Sequence, residues 1–436
     1  MAIDIPAMKP VSTKVVRRSG SAPAQKLSAD LCVLGSGIAG ISAALEAAQL
    51  GRRVVLVDSG PQLGGQSTGA IIGTFCGLYG NGPNPRLVTH GIADALLRDL
   101  KASGDAFDKP RARNTVIVMY RVAALQRWIE EAARKAGISV VLSANLTGVQ
   151  RDGRRIRALE LATRYGPMEV SATGFVDASG DAALAWTAGL SCREADIPIY
   201  GTIMCTLEGA DHAALNALGL AALHKRLEEK STQYGLVRQD GFVFAPPQGD
   251  EVLVNMTHIE TPLDAVGMSR TLLDGRAQVD RLLGFLRAEF PAVFAKARVR
   301  AYGLPGVRQT RGIVGAYQLQ LEDVRQEKRF ADTVARCSWP VEFHDRPEGV
   351  TWEQFGDDHM HYVPLRSLVH AEADNLVAAG RCIDADPVAL SSVRVMGPCI
   401  ATGAAAAHAL DLAGAGSAHQ VDVGALQKRL AANLER

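Results

Sequence analysis

Aromatic residues make up only 5% of this 436-residue chain, and its formal net charge is just +1. So even a balance excludes the basic footprint of a nucleic-acid binder and the long acidic tail of an interaction arm. No apolar run approaches the ~20 residues a membrane span needs. The seven cysteines (Cys32, Cys76, Cys192, Cys205, Cys337, Cys382 and Cys399) are odd in number, scattered, and never spaced Cys-x-x-Cys. That argues against a disulfide framework, a zinc or iron–sulfur site and a dithiol redox pair, and a reducing cytoplasm is expected. A twin-arginine export signal is excluded because Arg17-Arg18 is followed by Ser-Gly-Ser-Ala-Pro instead of an apolar core. Residues 1–28 therefore read as a polar tail or surface arm. The remainder is a soluble globular composition, 47% hydrophobic and 21% charged, long enough for two or three domains.

What the chain does have is concentrated between Ala29 and Asp58. Leu31 to Leu34 is a short apolar run suited to a strand buried on both faces. Gly35-Ser-Gly37-Ile38-Ala39-Gly40 follows, then an Ala-rich stretch with helical spacing that stops at Gly51, then a second apolar strand, Val54 to Val57. This is a βαβ unit with Gly-x-Gly-x-x-Gly at its first turn. Gly35 permits the turn, Gly37 lets backbone approach a diphosphate, and Gly40 allows the helix to pack on the strand. The helix N-terminus offers free N–H groups to the phosphates. Asp58, 23 residues after Gly35, is placed to accept from ribose hydroxyls, which favours FAD or NAD over a 2′-phosphorylated cofactor.

Downstream, Ser59 to Pro85 is Gly-rich and nearly uncharged. Its Gly64-Gly65-Gln66-Ser67 suits backbone lying against a flat buried ligand. Strands are expected around 138–171 with a turn at Asp152-Gly153. The strand-to-helix junction Phe175-Val-Asp177-Ala178-Ser-Gly180-Asp181 returns the chain to the sheet. The texture then changes, with strands among long helices such as Leu263 to Ala288. Asn375-Leu-Val-Ala-Ala-Gly380-Arg381 is a further buried strand. Val395-Met-Gly-Pro398-Cys399 leads into an Ala-rich helix from Ile400. The expected organisation is α/β: a Rossmann-like nucleotide-binding domain with a parallel sheet, interrupted by an inserted α+β substrate or cap domain. Its segments are the tail 1–28, a first part 29–190, the cap 191–360 and a closing part 361–436. No second Gly-x-Gly-x-x-Gly follows a strand, so a second dinucleotide domain is not expected.

Three separated blocks, Gly35 to Gly40, Gly64-Gly65 and Phe175 to Asp181, resemble FAD-dependent oxidoreductases of the glutathione-reductase-like flavoprotein superfamily. Arg308-Gln-Thr-Arg311-Gly, Pro340-Val-Glu-Phe-His344, Val363-Pro-Leu-Arg366, Gly380-Arg381-Cys382 and Ser392-Val-Arg394-Val-Met-Gly-Pro-Cys399 are similar to a broad bacterial FAD-dependent oxidoreductase family. His361-Tyr362-Val-Pro-Leu365 stands where relatives carry Ile-Pro-Tyr, and Gly397 where a proline is usual. The resemblance implies FAD. The adenosine half would lie on Gly35, Gly37, Ile38, Ala39, Gly40, Asp58 and Ser59. The flavin half would meet Gly64, Gly65, Gly380, Arg381 and the last helix's start at Cys399 and Ile400, with Gln66, Ser67, Ala178, Gly180 and Arg394 also expected to bind the cofactor. A helix N-terminus at the flavin's pyrimidine edge would stabilise charge arriving with a hydride.

Flavin dehydrogenation further needs a base for the substrate's O–H or N–H proton. His344, closing an apolar strand, is the first choice and His361 the second. Arg308, Arg311 and Arg394 sit among small or apolar neighbours, and in a closed pocket such groups bind a carboxylate bidentately. Structural pairing, for example with Asp332 or Asp386, is the alternative. His359 and His361 form His-x-His, but a metal would need a third ligand such as Asp357 or Asp358, and none is expected. The expectation is an FAD enzyme taking hydride from a small polar, carboxylate-bearing substrate. Its electrons would pass to oxygen, a quinone or a carrier protein, and self-association stays open. The rivals are reduction of an activated double bond and a subunit whose FAD is structural.

Overall fold

The computed structural model describes residues 11–17, 23–110, 115–246 and 250–435. Part of the expected tail, 1–28, lies outside these. Its last four residues do not trail: the first strand spans Gln25–Leu34, and Gln25 to Ser28 pair with Met168 to Ser171. The run Leu31 to Leu34 and the strand Val54–Val57 are buried throughout, as the unalternating apolar pattern requires of parallel strands covered on both faces.

A seven-stranded sheet organises the chain. Its parallel part runs, edge to centre, Ser139–Val141, Val54–Val57, Gln25–Leu34, Gly166–Asp177 and Leu376–Ala378. Gly166–Asp177 is long enough to serve two partners in succession on the side away from Gln25–Leu34. Its first half pairs antiparallel with Arg155–Thr163, which pairs in turn with Ala144–Asp152. The helices Ile38–Gln49 and Met396–Ala413 pack against each other, and the Ser42 hydroxyl donates to the Ile400 carbonyl at 2.7 Å. Residues Met396 to Leu410 are buried all round, so this helix has no polar stripe and belongs to the interior. Among the described residues no single helix is long and apolar enough to cross a membrane.

A second body carries its own core. Phe242–Phe244, Val252–Asn255, Cys205–Glu208 and Arg298–Tyr302 form an antiparallel sheet in that order. The helices Leu220–Lys230 and Ala265–Glu289 bury Leu223, Leu227, Val279, Leu282 and Phe285 with it. That core extends from Ile203 to Ala297. Ile313, Leu319, Val324, Val334, Cys337 and Trp339 already belong to the core of the large sheet. Return to the main body thus begins nearly fifty residues before position 361, because the strand Arg311–Ile313 pairs with Cys192–Glu194 beside it.

Candidate functional site

At the C-terminal end of the first strand the chain turns at Gly35, whose φ is +100°. A side chain there would start 2.3 Å from the Ala178 carbonyl oxygen, and one at Gly40 would start 1.9 Å from that of Gly35. These contacts hold the helix Ile38–Gln49 close to the strand ends, and its N-cap, Gly37, provides no side-chain acceptor. The helix Met396–Ala413 likewise has no side-chain cap. Residues of both helix starts, Gly37, Ile38, Ala39, Met396 and Cys399, border one groove of about 310 Å³. The open start of Ile38–Gln49 forms an anion-binding arrangement at this groove, whereas in Met396–Ala413 the Gly397 N–H is taken by the Cys76 carbonyl at 2.9 Å and Pro398 carries none.

Asp58 stands at the same groove. It accepts from the Ser36 backbone N–H (2.5 Å), the Ser36 hydroxyl (2.7 Å) and the Gly60 N–H (2.6 Å). The carboxylate is thereby aimed, with lone pairs left for hydroxyl donors. Of the residues expected to bind cofactor, Gly35, Gly37, Ile38, Ala39, Asp58, Ser59, Gly65, Gln66, Ser67, Ala178, Gly180, Gly380, Arg381, Arg394 and Cys399 all line this groove. Gly40, Gly64 and Ile400 do not. Gly40 abuts Gly35, Gly64 N–H donates to the Ser36 carbonyl at 2.9 Å, and Ile400 accepts from Ser42. They build the wall without forming its surface. An open diphosphate cradle with an aimed carboxylate at one end fits a dinucleotide.

A smaller cavity of about 150 Å³ opens from the groove, sharing Gln66, Ile72, Arg381, Arg394 and Met396 with it. The second body supplies Thr202, Met204, Phe242, Phe244 and Asn255 as its roof, and Arg308 and Glu342 complete the wall. Arg394 is placed here because the helices Pro387–Val393 and Met396–Ala413 meet at 92°. Arg308 is 8% exposed and donates through Nη1 to the Tyr200 carbonyl at 2.7 Å. Arg394 donates through Nη2 to the Glu342 carbonyl at 3.3 Å. Arg394 Nε and Arg381 Nη1 are buried and have no hydrogen-bond partner among the described residues.

Burial pushes the Arg308 guanidinium well below its ordinary range, and the neighbouring Arg238 and Arg394 charges push it the same way. Burial lowers Arg394 too. A guanidinium does not lose its proton under ordinary conditions, and the Glu342 and Asp240 charges offset part of the cost at Arg308. Arg238 reinforces the field from behind, bound to Asp240 (2.5 Å) and Asn255 Oδ1 (3.0 Å).

Three expected catalytic residues lie elsewhere. His344 is buried behind the cavity wall, its Nδ1 2.9 Å from His258 Nε2. His361 is enclosed between His359 (3.1 Å) and the Ser392 hydroxyl (2.9 Å), and burial holds its imidazole down to about 3. Arg311 lines neither the groove nor the small cavity; it is largely covered, paired with Glu194 at 2.7 Å and stacked 4.2 Å over the Trp186 ring. Arg311→Ala is therefore expected to change turnover less than about threefold and to cost roughly 0.5–1 kcal/mol of stability. Thermal melting of the variant beside its flavin reduction rate checks this. The acid that sequence reasoning passed over is Glu342, which lines the cavity two residues before His344. A lone carboxylate in the apolar run Pro340 to Phe343, on the same strand face as His344, was the available signal.

Among solved structures the chain is similar to the flavin-dependent brominase Bmp2 (13% identity, 92% of this chain and 83% of that one, TM-score 0.47). It is also similar to a geranylgeranyl bacteriochlorophyll reductase-like protein from Thermoplasma acidophilum (12%, 89% and 78%, TM-score 0.45). A third is p-nitrophenol 4-monooxygenase PnpA from Pseudomonas putida (12%, 93% and 81%, TM-score 0.42). No curated protein sequence matches the chain significantly. The profile of the FAD dependent oxidoreductase family, by contrast, matches residues 30–430, nearly the whole chain; the protein belongs to that family and is an FAD-dependent oxidoreductase.

Proposed function

We propose that this enzyme removes a hydride from a small carboxylate-bearing substrate at a C–O or C–N bond, with FAD as acceptor. One observation carries the reading. Arg308, Arg381 and Arg394 converge on a small cavity that opens into the cofactor groove, with donor hydrogens on Arg381 and Arg394 left for a ligand. Bound FAD supplies a two-electron acceptor beside that cavity. The guanidinium groups hold the substrate carboxylate in a fixed plane, and Phe242, Phe244 and Met204 cover the cavity from the second body and keep water away. The parallel strands followed by the antiparallel meander support kinship with glutathione-reductase-like flavoproteins. The one dinucleotide motif that the sequence carries, Gly35 to Gly40, supports reoxidation by oxygen, a quinone or a carrier protein. Seven free cysteines support a cytoplasmic setting.

The test is anaerobic mixing of the yellow protein with lactate, malate, alanine and glutamate while flavin absorbance is followed. Bleaching by one or more, saturating with concentration, is the expected result. A flavin that resists the whole panel, yet after photoreduction is reoxidised by fumarate, reverses the direction and overturns the proposal.

A further inference from the structure

Among the described residues Glu342 is the one carboxylate on the wall of the small cavity. Its two oxygens have different surroundings. Oε2 accepts from the Trp339 indole N–H at 3.2 Å, and Oε1 lies 3.5 Å from His344 Nε2. The hydrogens behind that contact can be assigned in sequence. The Pro347 carbonyl, 2.8 Å from His258 Nδ1, can only accept, so His258 Nδ1 carries hydrogen. Burial and the Arg238 and Arg308 charges keep His258 neutral, which leaves its Nε2 bare. That nitrogen, 2.9 Å from His344 Nδ1, accepts a hydrogen bond from it. Burial and Arg308, Arg238 and Arg394 keep His344 neutral as well. His344 Nε2 is then a lone pair facing Glu342, and it has no hydrogen-bond partner among the described residues.

A carboxylate and a bare imidazole nitrogen have no proton to share, and 3.5 Å is too long for a hydrogen bond. A proton arriving on Glu342 Oε1 converts the contact into O–H···N. We infer that Glu342 is the catalytic base of the reaction proposed above, and that His344, fixed by His258 and the Pro347 carbonyl, is the positioning residue whose lone pair receives the acid form of Glu342. As the substrate's C–H bond breaks and its electron pair leaves as hydride to the flavin, the proton of the adjacent O–H or N–H passes to the Glu342 carboxylate. A C=O or C=N bond forms, the substrate has lost two electrons and one proton besides the hydride's own, and Glu342 becomes a carboxylic acid. That proton returns to solvent once the product has left. Trp339 holds the other oxygen, while Arg308 and Arg394 face the same cavity from neighbouring elements.

This inference rests on the dehydrogenation reading, and the experiment separates the two. Acid-minus-neutral infrared difference spectra of the flavin-loaded protein are expected to show a carboxylic C=O band that Glu342→Gln removes. His344→Phe moves the band to higher wavenumber and His344→Gln, which keeps an acceptor, moves it back. In anaerobic bleaching by the lactate, malate, alanine and glutamate panel, Glu342→Gln slows reduction at saturation by about 10²–10⁴-fold while flavin stays bound. His344→Phe slows it about tenfold without changing half-saturation. Wild-type bleaching rates in Glu342→Gln, or a band indifferent to His344→Phe, would overturn the assignment. A wild-type flavin that no panel member bleaches removes the dehydrogenation reading, and with it the role of base. The infrared band then still judges the Glu342–His344 hydrogen bond.

Discussion

Arg394→Met is expected to slow flavin reduction, or weaken the substrate's half-saturation, by about a hundredfold or more without lowering the melting temperature of the unliganded protein. The two halves of this expectation follow from one fact: Arg394 is buried at the cavity, offset only by the charge of Glu342, with which it forms no ion pair among the described residues. Hydrogen bonds to a charged group contribute roughly 1.5–3 kcal/mol each, and two to one substrate carboxylate reach the hundredfold range. Desolvation of an unpaired guanidinium costs several kcal/mol in the empty protein. Methionine fills much of the same space without that cost, so the fold loses one hydrogen bond to the Glu342 carbonyl and sheds a buried charge. Melting curves with and without added malonate make the point directly. The wild type should be stabilised by the dianion and the variant should not. A variant that melts lower and still bleaches at the wild-type rate would show that Arg394 is a structural brace.

The cofactor half of the site was legible because its determinants are local. Strand burial on two faces is written in the runs Leu31 to Leu34 and Val54 to Val57, and the close approach at Gly40 is set by a residue five positions earlier. The arginine-lined cavity depends on partners far away in sequence. Arg308 and Arg311 are three residues apart in one motif with the same apolar flavour. Yet Arg308 turns in beneath Tyr200, and Arg311 is drawn out by Glu194 and Trp186. His344 shares its strand face with Glu342, as alternation dictates, but which of them reaches the cavity is settled by His258 and Pro347. The end of the inserted body is hidden for a similar reason. Helices and strands still alternate after Ala297, while membership of one core or the other is decided by contacts that no local pattern records.

Lowering the pH below about 6.5 is expected to destabilise the fold steeply, before most carboxylates titrate. His258 and His361 are held down to about 2 and about 3, and His344, His359 and His370 are also lowered, chiefly by burial. Unfolded, each takes a proton near 6.5. Between that value and the folded one the unfolded chain binds the extra proton, so stability is complete above 6.5 and is lost as pH falls. Asp177 and Asp384, raised by burial, act in the opposite sense because the folded state binds their protons first. Each histidine that stays neutral in the folded state contributes a slope of up to one proton, roughly 1.4 kcal/mol per pH unit, against a total stability usually of about 5–15 kcal/mol. Denaturant midpoints taken across mildly acid buffers should trace that slope, and His361→Asn should make it shallower by about one proton, roughly 1.4 kcal/mol per pH unit. A slope identical in wild type and variant would mean that the imidazole enclosed by His359 and Ser392 does not stay neutral in the folded protein.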